Sequence, residues 1–117
     1  MPNFNRVTLI GHLGKDPEVR NLNETTLVEF SLATTEKWTD KRTMEKHSKT
    51  QWHNVKFFGK TGEVIKQYCA KGDCIMVEGK IDYNEDEKNG VKRTFTNIVG
   101  SSFEFIKTKG EPGERPM

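Results

Sequence analysis

Aromatic and basic residues alternate with apolar ones in the segment QWHNVKFFGK, residues 51–60. Successive side chains of a β-strand point to opposite faces, so the even-numbered residues of this segment would share one face. Those within the predicted strand, residues 51–58, are Trp52, Asn54, Lys56 and Phe58. Flat aromatic rings stack on unpaired bases, a lysine neutralises a phosphate, and an amide hydrogen-bonds a base edge or a phosphate. The chemistry that this face favours is the binding of an unpaired nucleic-acid strand.

The opposite face of the same segment, with Val55 and Phe57, has the composition of a strand that faces a core. His53 shares that face, and we interpret it as a core or subunit-contact residue rather than a metal ligand. An exposed aromatic pair needs something to cover it. Two alternatives therefore stay open for Trp52 and Phe58: they stack on bases, or they are buried under a loop or in a dimer interface.

A basic segment precedes this strand. Residues 36–50 contain five basic residues against three acidic ones and almost no apolar periodicity. We interpret the segment as a loop or flexible hairpin with one tryptophan, Trp38, near its base. Its cations are candidates for phosphate contacts. The candidates are Lys37, Lys41, Arg42 and Lys49.

Alternation of apolar and polar residues predicts five strands around these candidates. Their ranges are 5–13, 25–36, 51–58, 74–81 and 91–99, with a short extension at 102–106. Residues 15–20 are interpreted as a turn, because they contain Asp16-Pro17. Residues 82–90 are interpreted as a hairpin tip with Asn89-Gly90 as its turn signal.

One helix is predicted directly after the third strand, with Thr61 as its cap and Gly72 as its stop. The resulting order is β-β-β-α-β-β. It predicts an all-β fold, a five-stranded Greek-key OB-fold barrel with one helix between strands 3 and 4. An α+β sandwich is the alternative. OB folds bind oligonucleotides on the face of strands 2 and 3 and on adjoining loops, where the aromatic face and the basic segment fall.

Length and composition limit the remaining possibilities. The 117 residues fit one domain, placed at 1–106, and a short flexible tail at 107–117 that lacks an acidic tip. A charged fraction of 31% and a mean hydropathy of −0.79 exclude a membrane protein, while a net charge of +2 does not by itself establish a nucleic-acid partner.

The sequence gives no sign of catalytic or metal chemistry. Cys69 and Cys74 have the spacing of neither a redox pair nor a zinc site, and the three histidines are scattered. No nucleophile with an adjacent base and no phosphate-cradling glycine loop is evident. We therefore expect a protein that is not an enzyme and holds no metal or cofactor.

Five segments carry a family resemblance. The segments NRVTLIGHLGKDPEVR, FSLATTEKW, TQWHNVKFFGK, YCAKGDCIMVEGKIDY and FTNIV resemble, in order and spacing, the bacterial and mitochondrial single-stranded DNA-binding protein family. The resemblance covers about residues 4–106. It implies an OB fold, a homotetramer, and sequence-independent binding that coats and protects single-stranded DNA during replication, recombination and repair. The alternatives are an OB-fold adaptor of a replication-restart complex and, much less favoured, an OB-fold nuclease.

The resemblance also implies roles for single residues. Trp38, Trp52 and Phe58 correspond to the stacking aromatics of the family, and Arg20 and Lys56 fall near positions that are often basic. The resemblance also implies that Arg6 lies beside Glu78 at a contact between subunits. His53, from the face it takes on its strand, and Met76, for which core packing is the alternative, are further candidates for these contacts.

Two segments depart from the family pattern. Residues 82–90 contain four carboxylates, and Tyr83 is the only aromatic among them, so we expect this hairpin to contribute less to binding. Its contacts would come from Lys88, Lys92 and Arg93, while stacking on Tyr83 stays open. The tail lacks the acidic tip through which bacterial members recruit proteins, so such partners are not supported. Residues 1–6 have neither signal nor transit character, which predicts a cytoplasmic protein of a bacterial or phage-infected cell, with the mitochondrial matrix as the alternative.

Overall fold

The computed structural model describes residues 2–107 and contains six strands and one helix. The strands are β1 (Val7–Leu13), β2 (Glu18–Asn21), β3 (Thr26–Thr39), β4 (Lys46–Phe58), β5 (Cys74–Lys88) and β6 (Val91–Lys107). The helix α1 spans Lys60–Tyr68, between β4 and β5. Within the described residues, no helix has both the length and the apolar character needed to cross a membrane.

The strands form one sheet in the order β1-β5-β6-β4-β3-β2. The sheet closes into a barrel because the end of β1 also pairs with β3, at His12↔Ala33 and Leu13↔Leu32. The pairing of β4 with β6 is parallel, and the other pairings are antiparallel. Five strands close the barrel, and the short β2 adds an edge strand to β3. The predicted all-β, OB-type barrel is confirmed.

The helix position differs from the prediction only in strand number. Residues 15–20 were predicted as a turn, but Glu18–Asn21 form β2, paired with β3 from Glu18↔Glu29 to Asn21↔Thr26. The helix therefore follows the fourth strand instead of the third. All four residues of β2 are exposed, so the strand lacks the alternation of apolar and polar residues that predicts a strand. Pairing at the edge of the sheet could therefore not be predicted from the sequence.

The barrel interior is filled by apolar residues from every other position of the long strands. The largest fully buried strand side chains include Phe57, Leu32, Ile75, Val28, Val55 and Val77, and the helix adds Ile65. Phe57 stacks against Phe30 at 6.2 Å between ring centroids and lies against Gly100, where a Cβ atom would overlap the Phe57 ring. The segment 102–106 is part of β6 and not a separate short strand.

The helix α1 closes one end of the barrel. Its closest approach is at Gly62, where a Cβ atom would lie 2.8 Å from the carbonyl oxygen of Phe57 and 2.9 Å from Cγ2 of Val28. Both predicted limits were wrong: Gly59 is the N-cap, without a side-chain hydrogen bond, and Thr61 lies inside the helix. The helix ends at Tyr68, and Gly72, at φ 92°, belongs to the turn that follows.

Two pairs of strands continue beyond the barrel as two-stranded arms. The β3–β4 arm (residues 35–39 and 46–50) and the β5–β6 arm (residues 83–88 and 91–96) are paired to their ends, at Thr39↔Lys46 and Lys88↔Val91. The sequence predicted a loop or flexible hairpin for the first and a long hairpin tip for the second. Only the turns at 40–45 and at Asn89-Gly90 are outside the ladders. Most of the predicted tail, residues 108–117, lies outside the described residues.

Candidate nucleic-acid interface

Burial along β4 alternates as the period of two predicts. Val55 and Phe57 are buried, whereas Trp52 is 62% exposed and Phe58 46% exposed. Asn54 is exposed and Lys56 half-buried. Residues directly paired across strands share a sheet face, so the face that contains Trp52, called the outer face here, extends to neighbouring strands. Its further members include Ala33, Ser31, Glu29 and Leu27 on β3, and Asn97 and Val99 on β6.

Trp52 lies on a seat formed by Gly14. A Cβ atom at Gly14 would overlap the six-membered ring of Trp52. Gly14 is itself fixed, because its N–H donates to the carbonyl oxygen of Ser31 at 2.9 Å. Local sequence patterns could not reveal this contact, because Gly14 and Trp52 are distant in the chain. The indole ring thus lies against the backbone of Gly14 while 62% of Trp52 stays exposed.

Two predicted phosphate contacts lie beside a carboxylate on the outer face. Arg20 Nε lies 3.2 Å from Glu29 Oε1, and Lys56 is the cross-strand partner of Glu29. The side chain of Glu29 is 27% exposed and that of Arg20 67%. A phosphate that approaches Arg20 therefore competes with Glu29, a feature that the sequence prediction missed.

Trp38 lies on the β3–β4 arm and stacks on its cross-strand partner. Its ring centroid is 5.6 Å from that of His47, with 25° between the ring planes. Trp38 lies an even number of residues from core residue Leu32 and so shares its face, whereas Trp52 pairs with Ala33 on the other face. The ladder therefore places Trp38 and Trp52 on opposite faces. A nucleic-acid strand that contacts both rings has to follow the twist of the arm, which is strong in two-stranded ribbons.

The cations of the β3–β4 arm are exposed and spread over its faces and tip. Lys37 lies on the face of Trp52 and Lys49 on the face of Trp38, while Lys41 and Arg42 lie in the turn at 40–45. The sequence prediction missed His47, which stacks on Trp38, and left Lys46 out of the candidate contacts. Both line a cavity of about 390 Å³ together with Lys37 and Trp38. The cross-strand pairs Trp38↔His47 and Thr39↔Lys46 follow from the register of the hairpin. That register is set by the turn at 40–45, which the sequence did not predict.

The candidates on the β5–β6 arm are exposed but do not share one face. Tyr83 pairs with Thr96, and Lys92 pairs with Glu87, on the face that continues the barrel interior through Ile81 and Ile98. Arg93 and Lys88 lie on the other face of the ladder. The register thus separates Lys92 from the other two predicted cations.

The predicted subunit-contact residues lie away from the outer face of β4. Arg6 Nη2 is 2.8 Å from Glu78 Oε2, and this hydrogen-bonded pair lowers the pKa of Glu78 below its ordinary value. Met76 is half-buried opposite the exposed Ile10. His53 is half-buried and hydrogen-bonded to Thr34 Oγ1 at 2.9 Å, and burial lowers the pKa of its imidazole.

Metal ligation has no basis in the described residues. From 2 to 107, no three or more His, Cys, Asp and Glu side chains are grouped so that they could hold an ion. The carboxylates of the β5–β6 arm are divided between its two faces, with Asp82 and Asp86 on one and Glu85 and Glu87 on the other. The interface is therefore made of rings, cations and amides.

Comparisons with known proteins agree with this geometry. The model of the single-strand binding protein family matches residues 4–106. Single-stranded DNA-binding protein 1 of Xylella fastidiosa is 40% identical over 111 residues, which are 93% of this chain and 82% of that protein.

Solved structures show the same similarity. A Plasmodium falciparum SSB in complex with ssDNA superposes with a TM-score of 0.82 at 30% identity, covering 92% of this chain and 98% of that one. A deletion mutant of the single-stranded DNA-binding protein from Thermus aquaticus gives 0.76 at 26% identity, covering 92% of this chain and 52% of the other. With a family match that spans nearly all the described residues, the chain belongs to the single-strand binding protein family.

Proposed function

We propose that this protein binds single-stranded DNA with little dependence on sequence, coating and protecting it during replication, recombination and repair, without catalysis. The observation that carries this proposal is the outer face of β4, where two exposed rings, Trp52 and Phe58, lie on either side of Lys56. Membership of the single-strand binding protein family and the similarity to an SSB in complex with ssDNA support it.

Stacking explains why binding would not depend on sequence. Every base has a π-face, so a ring accepts each of them, and each stacked base contributes about 1–3 kcal/mol. Trp52 is held by Gly14 before DNA arrives, which reduces the entropy lost on binding. In duplex DNA the faces of the bases are already stacked on their neighbours, so this surface selects unpaired strands.

The cations around the rings would follow the backbone. Lys56 lies between the two rings on the outer face, and Arg20 lies on the neighbouring edge strand. Each phosphate that a lysine or arginine neutralises releases condensed counterions. The logarithm of the binding constant should therefore fall linearly with the logarithm of salt concentration, with a slope of about −0.7 per neutralised phosphate.

A homotetramer is part of the proposal. Its support, besides the family, is the free edge of β1: within the described residues, positions 7–11 pair with β5 alone, and the other edge of this segment has no partner. Such an edge is a template for pairing with another strand. Ile10, 56% exposed, lies on this segment. Pairing of two copies along β1 would cover both the edge and Ile10.

Titration with oligo-dT tests the function directly. The two tryptophans of the chain, Trp38 and Trp52, both belong to the proposed interface, so we expect strong fluorescence quenching that saturates at a fixed number of nucleotides per protein. Repeating the titration at two salt concentrations gives the number of phosphates neutralised. Absence of quenching, or equal affinity for duplex DNA, would contradict the proposal.

Two variants locate the binding surface. Trp52→Ala and Phe58→Ala should each weaken oligo-dT binding by about 1–3 kcal/mol and leave the fold intact, because both rings are exposed. Ile106→Ala is the matched control, since Ile106 is 49% exposed and lies far along β6 from the proposed interface. Collapse of the fold in Trp52→Ala would instead favour a structural role for the ring.

A further inference from the structure

The β5–β6 arm carries two exposed aromatic rings, and they lie on opposite faces. Tyr83 is 65% exposed and Phe95 46% exposed. In the antiparallel ladder Tyr83 pairs with Thr96, and Phe95 pairs with Asn84. Because side chains alternate along each strand, a nucleic-acid strand that crosses one face of the arm meets only one of the two rings.

The face of Phe95 continues the outer face of β4. Asn97 pairs with Asn54 in the parallel β4–β6 ladder, so the two asparagines share the outer face. Phe95 precedes Asn97 by two residues, just as Trp52 precedes Asn54. Two residues advance a strand by about 6.6 Å, and both strands run in the same direction, so Phe95 and Trp52 lie at the same level.

The backbones of β4 and β6 are not paired at this level. The parallel ladder begins at Asn54↔Asn97 and runs toward Lys56↔Val99. Trp52 and Phe95 therefore lie just beyond its end, on two strands whose backbones are not paired there. Phe95 stacks on no other aromatic ring among residues 2–107, and its side chain is 46% exposed, so part of its surface is accessible to a ligand.

Charge also distinguishes the two faces of the arm. The nearest charged residue along the strand from Phe95 on its own face is Arg93, and Lys88 lies farther out on the same face. The nearest one to Tyr83 on its strand is Glu85, followed by Glu87. Both faces also carry the opposite charge, since Asp82 and Asp86 lie on the face of Phe95 and Lys92 lies on that of Tyr83. Between residues 82 and 96 the face of Phe95 thus has two cations against two carboxylates, and the face of Tyr83 has one cation against two. The face of Phe95 is therefore the less repulsive of the two to a phosphate.

A cavity marks the face of Phe95. It has a volume of about 410 Å³ and is lined by Asp86, Lys88, Asn89, Val91, Arg93 and Phe95. Asp86 is the cross-strand partner of Arg93, but the Arg93 guanidinium forms no ion pair with any described residue. The guanidinium is thus available for an anion.

We propose that Phe95 stacks on a base of bound single-stranded DNA while Arg93 contacts the adjacent phosphate, so that the β5–β6 arm extends the surface of Trp52 and Phe58 and Tyr83 takes no part. This inference rests on the proposed function. It decides the question that the sequence left open for Tyr83 in favour of a ring on the opposite face, and it gives the acidic hairpin a specific role in binding.

A matched set of variants tests the assignment by oligo-dT titration. Phe95→Ala should weaken binding about fivefold to a hundredfold, the loss of one base stack, and Phe95→Tyr should retain wild-type affinity. Tyr83→Ala should change affinity less than twofold. Thermal unfolding of each variant shows whether the fold is intact, as the exposure of both rings predicts.

The charges provide a second test that leaves both rings in place. Arg93→Gln and Lys92→Gln remove the same charge from neighbouring positions on opposite faces. Arg93→Gln should reduce the salt slope by about 0.7, the value for one phosphate. Lys92 was expected from the sequence to contact DNA, but it lies on the face of Tyr83, which the proposal leaves unbound, so Lys92→Gln should leave the slope unchanged. Equal slopes in the two variants would overturn the proposal.

Trp52→Ala separates failure of this inference from failure of the proposed function. If Trp52→Ala weakens binding and Phe95→Ala does not, the arm assignment is wrong and the function stands. If Tyr83→Ala causes the loss instead, the strand follows the other face of the arm. If the wild-type protein does not bind oligo-dT, the function itself fails.

Discussion

The proposed interface depends at the residue scale on how Trp52 is held. The indole ring lies against the backbone of Gly14, a position that it can take only because Gly14 has no side chain. The backbone of Gly14 does not adopt a positive φ, so its requirement for glycine comes from the ring and not from strain. Gly14 is therefore required because a ring packs closely against it. A turn pattern in the sequence does not reveal a requirement of this kind.

Gly14→Ala should therefore weaken DNA binding with little loss of stability. The added methyl group displaces the Trp52 ring, and we expect a smaller loss of oligo-dT affinity than in Trp52→Ala, because the displaced ring still stacks. The double variant Gly14→Ala/Trp52→Ala should bind no more weakly than Trp52→Ala alone, since contacting residues are not additive. Additive losses in this cycle would show that Gly14 acts independently of the ring.

Glu29 is the residue that opposes binding on the outer face. It forms an ion pair with Arg20 and lies opposite Lys56, so its carboxylate competes with a DNA phosphate for these two cations. Glu29→Gln should raise affinity for oligo-dT and steepen the salt slope by up to about 0.7 per released cation. Glu63→Gln, the same change on the exposed surface of α1, is the control for net charge. Equal gains in both variants would mean that only net charge matters.

At the element scale, the sequence predicts strands well where they cover a core. The alternation in β4 placed Trp52 and Phe57 on their correct faces, and the order of elements identified the barrel. It could not predict the arms, because residues 46–50 and 83–88 are all exposed and their strands are stabilised by backbone pairing and cross-strand contacts. A loop and a solvated strand have similar polar composition, so periodicity does not separate them.

The same limit explains which parts of the candidate site were missed. Phe95 was placed in a predicted strand, but its face followed only from the parallel pairing of Asn54 with Asn97. That pairing joins segments more than forty residues apart, and nothing local in the sequence fixes its register. Tyr83, which lies in the predicted hairpin tip, drew attention instead because of its residue type.

At the scale of the whole molecule, the pH dependence of stability should reflect His53. Burial lowers the pKa of His53 in the folded protein below the value of about 6.5 in the unfolded chain. As pH falls below about 6.5 the unfolded state binds a proton that the folded state resists, so stability falls, whereas above it His53 has no effect. The melting temperature of the wild type should therefore drop more between pH 7.5 and pH 5.5 than that of His53→Gln. Parallel curves would contradict this.

The assembly of the molecule should depend on the free edge of β1. If two copies pair along residues 7–11, their Ile10 side chains enter the contact, and a charge at that position has to be buried there. Ile10→Lys should therefore lower the molar mass, measured by light scattering, from that of the proposed tetramer to that of a smaller species.

A second lysine variant controls for the added charge. Val64→Lys places the same residue on the exposed surface of α1, far from the β1 edge, and should leave the molar mass unchanged. Ile10 is exposed in the single chain, so the fold of Ile10→Lys should survive and unfolding cannot account for a loss of mass. An unchanged mass for Ile10→Lys would place the subunit contacts elsewhere on the barrel. Because the proposed DNA surface of β4 lies within one chain, Ile10→Lys should still quench on binding short oligo-dT even when the assembly is reduced.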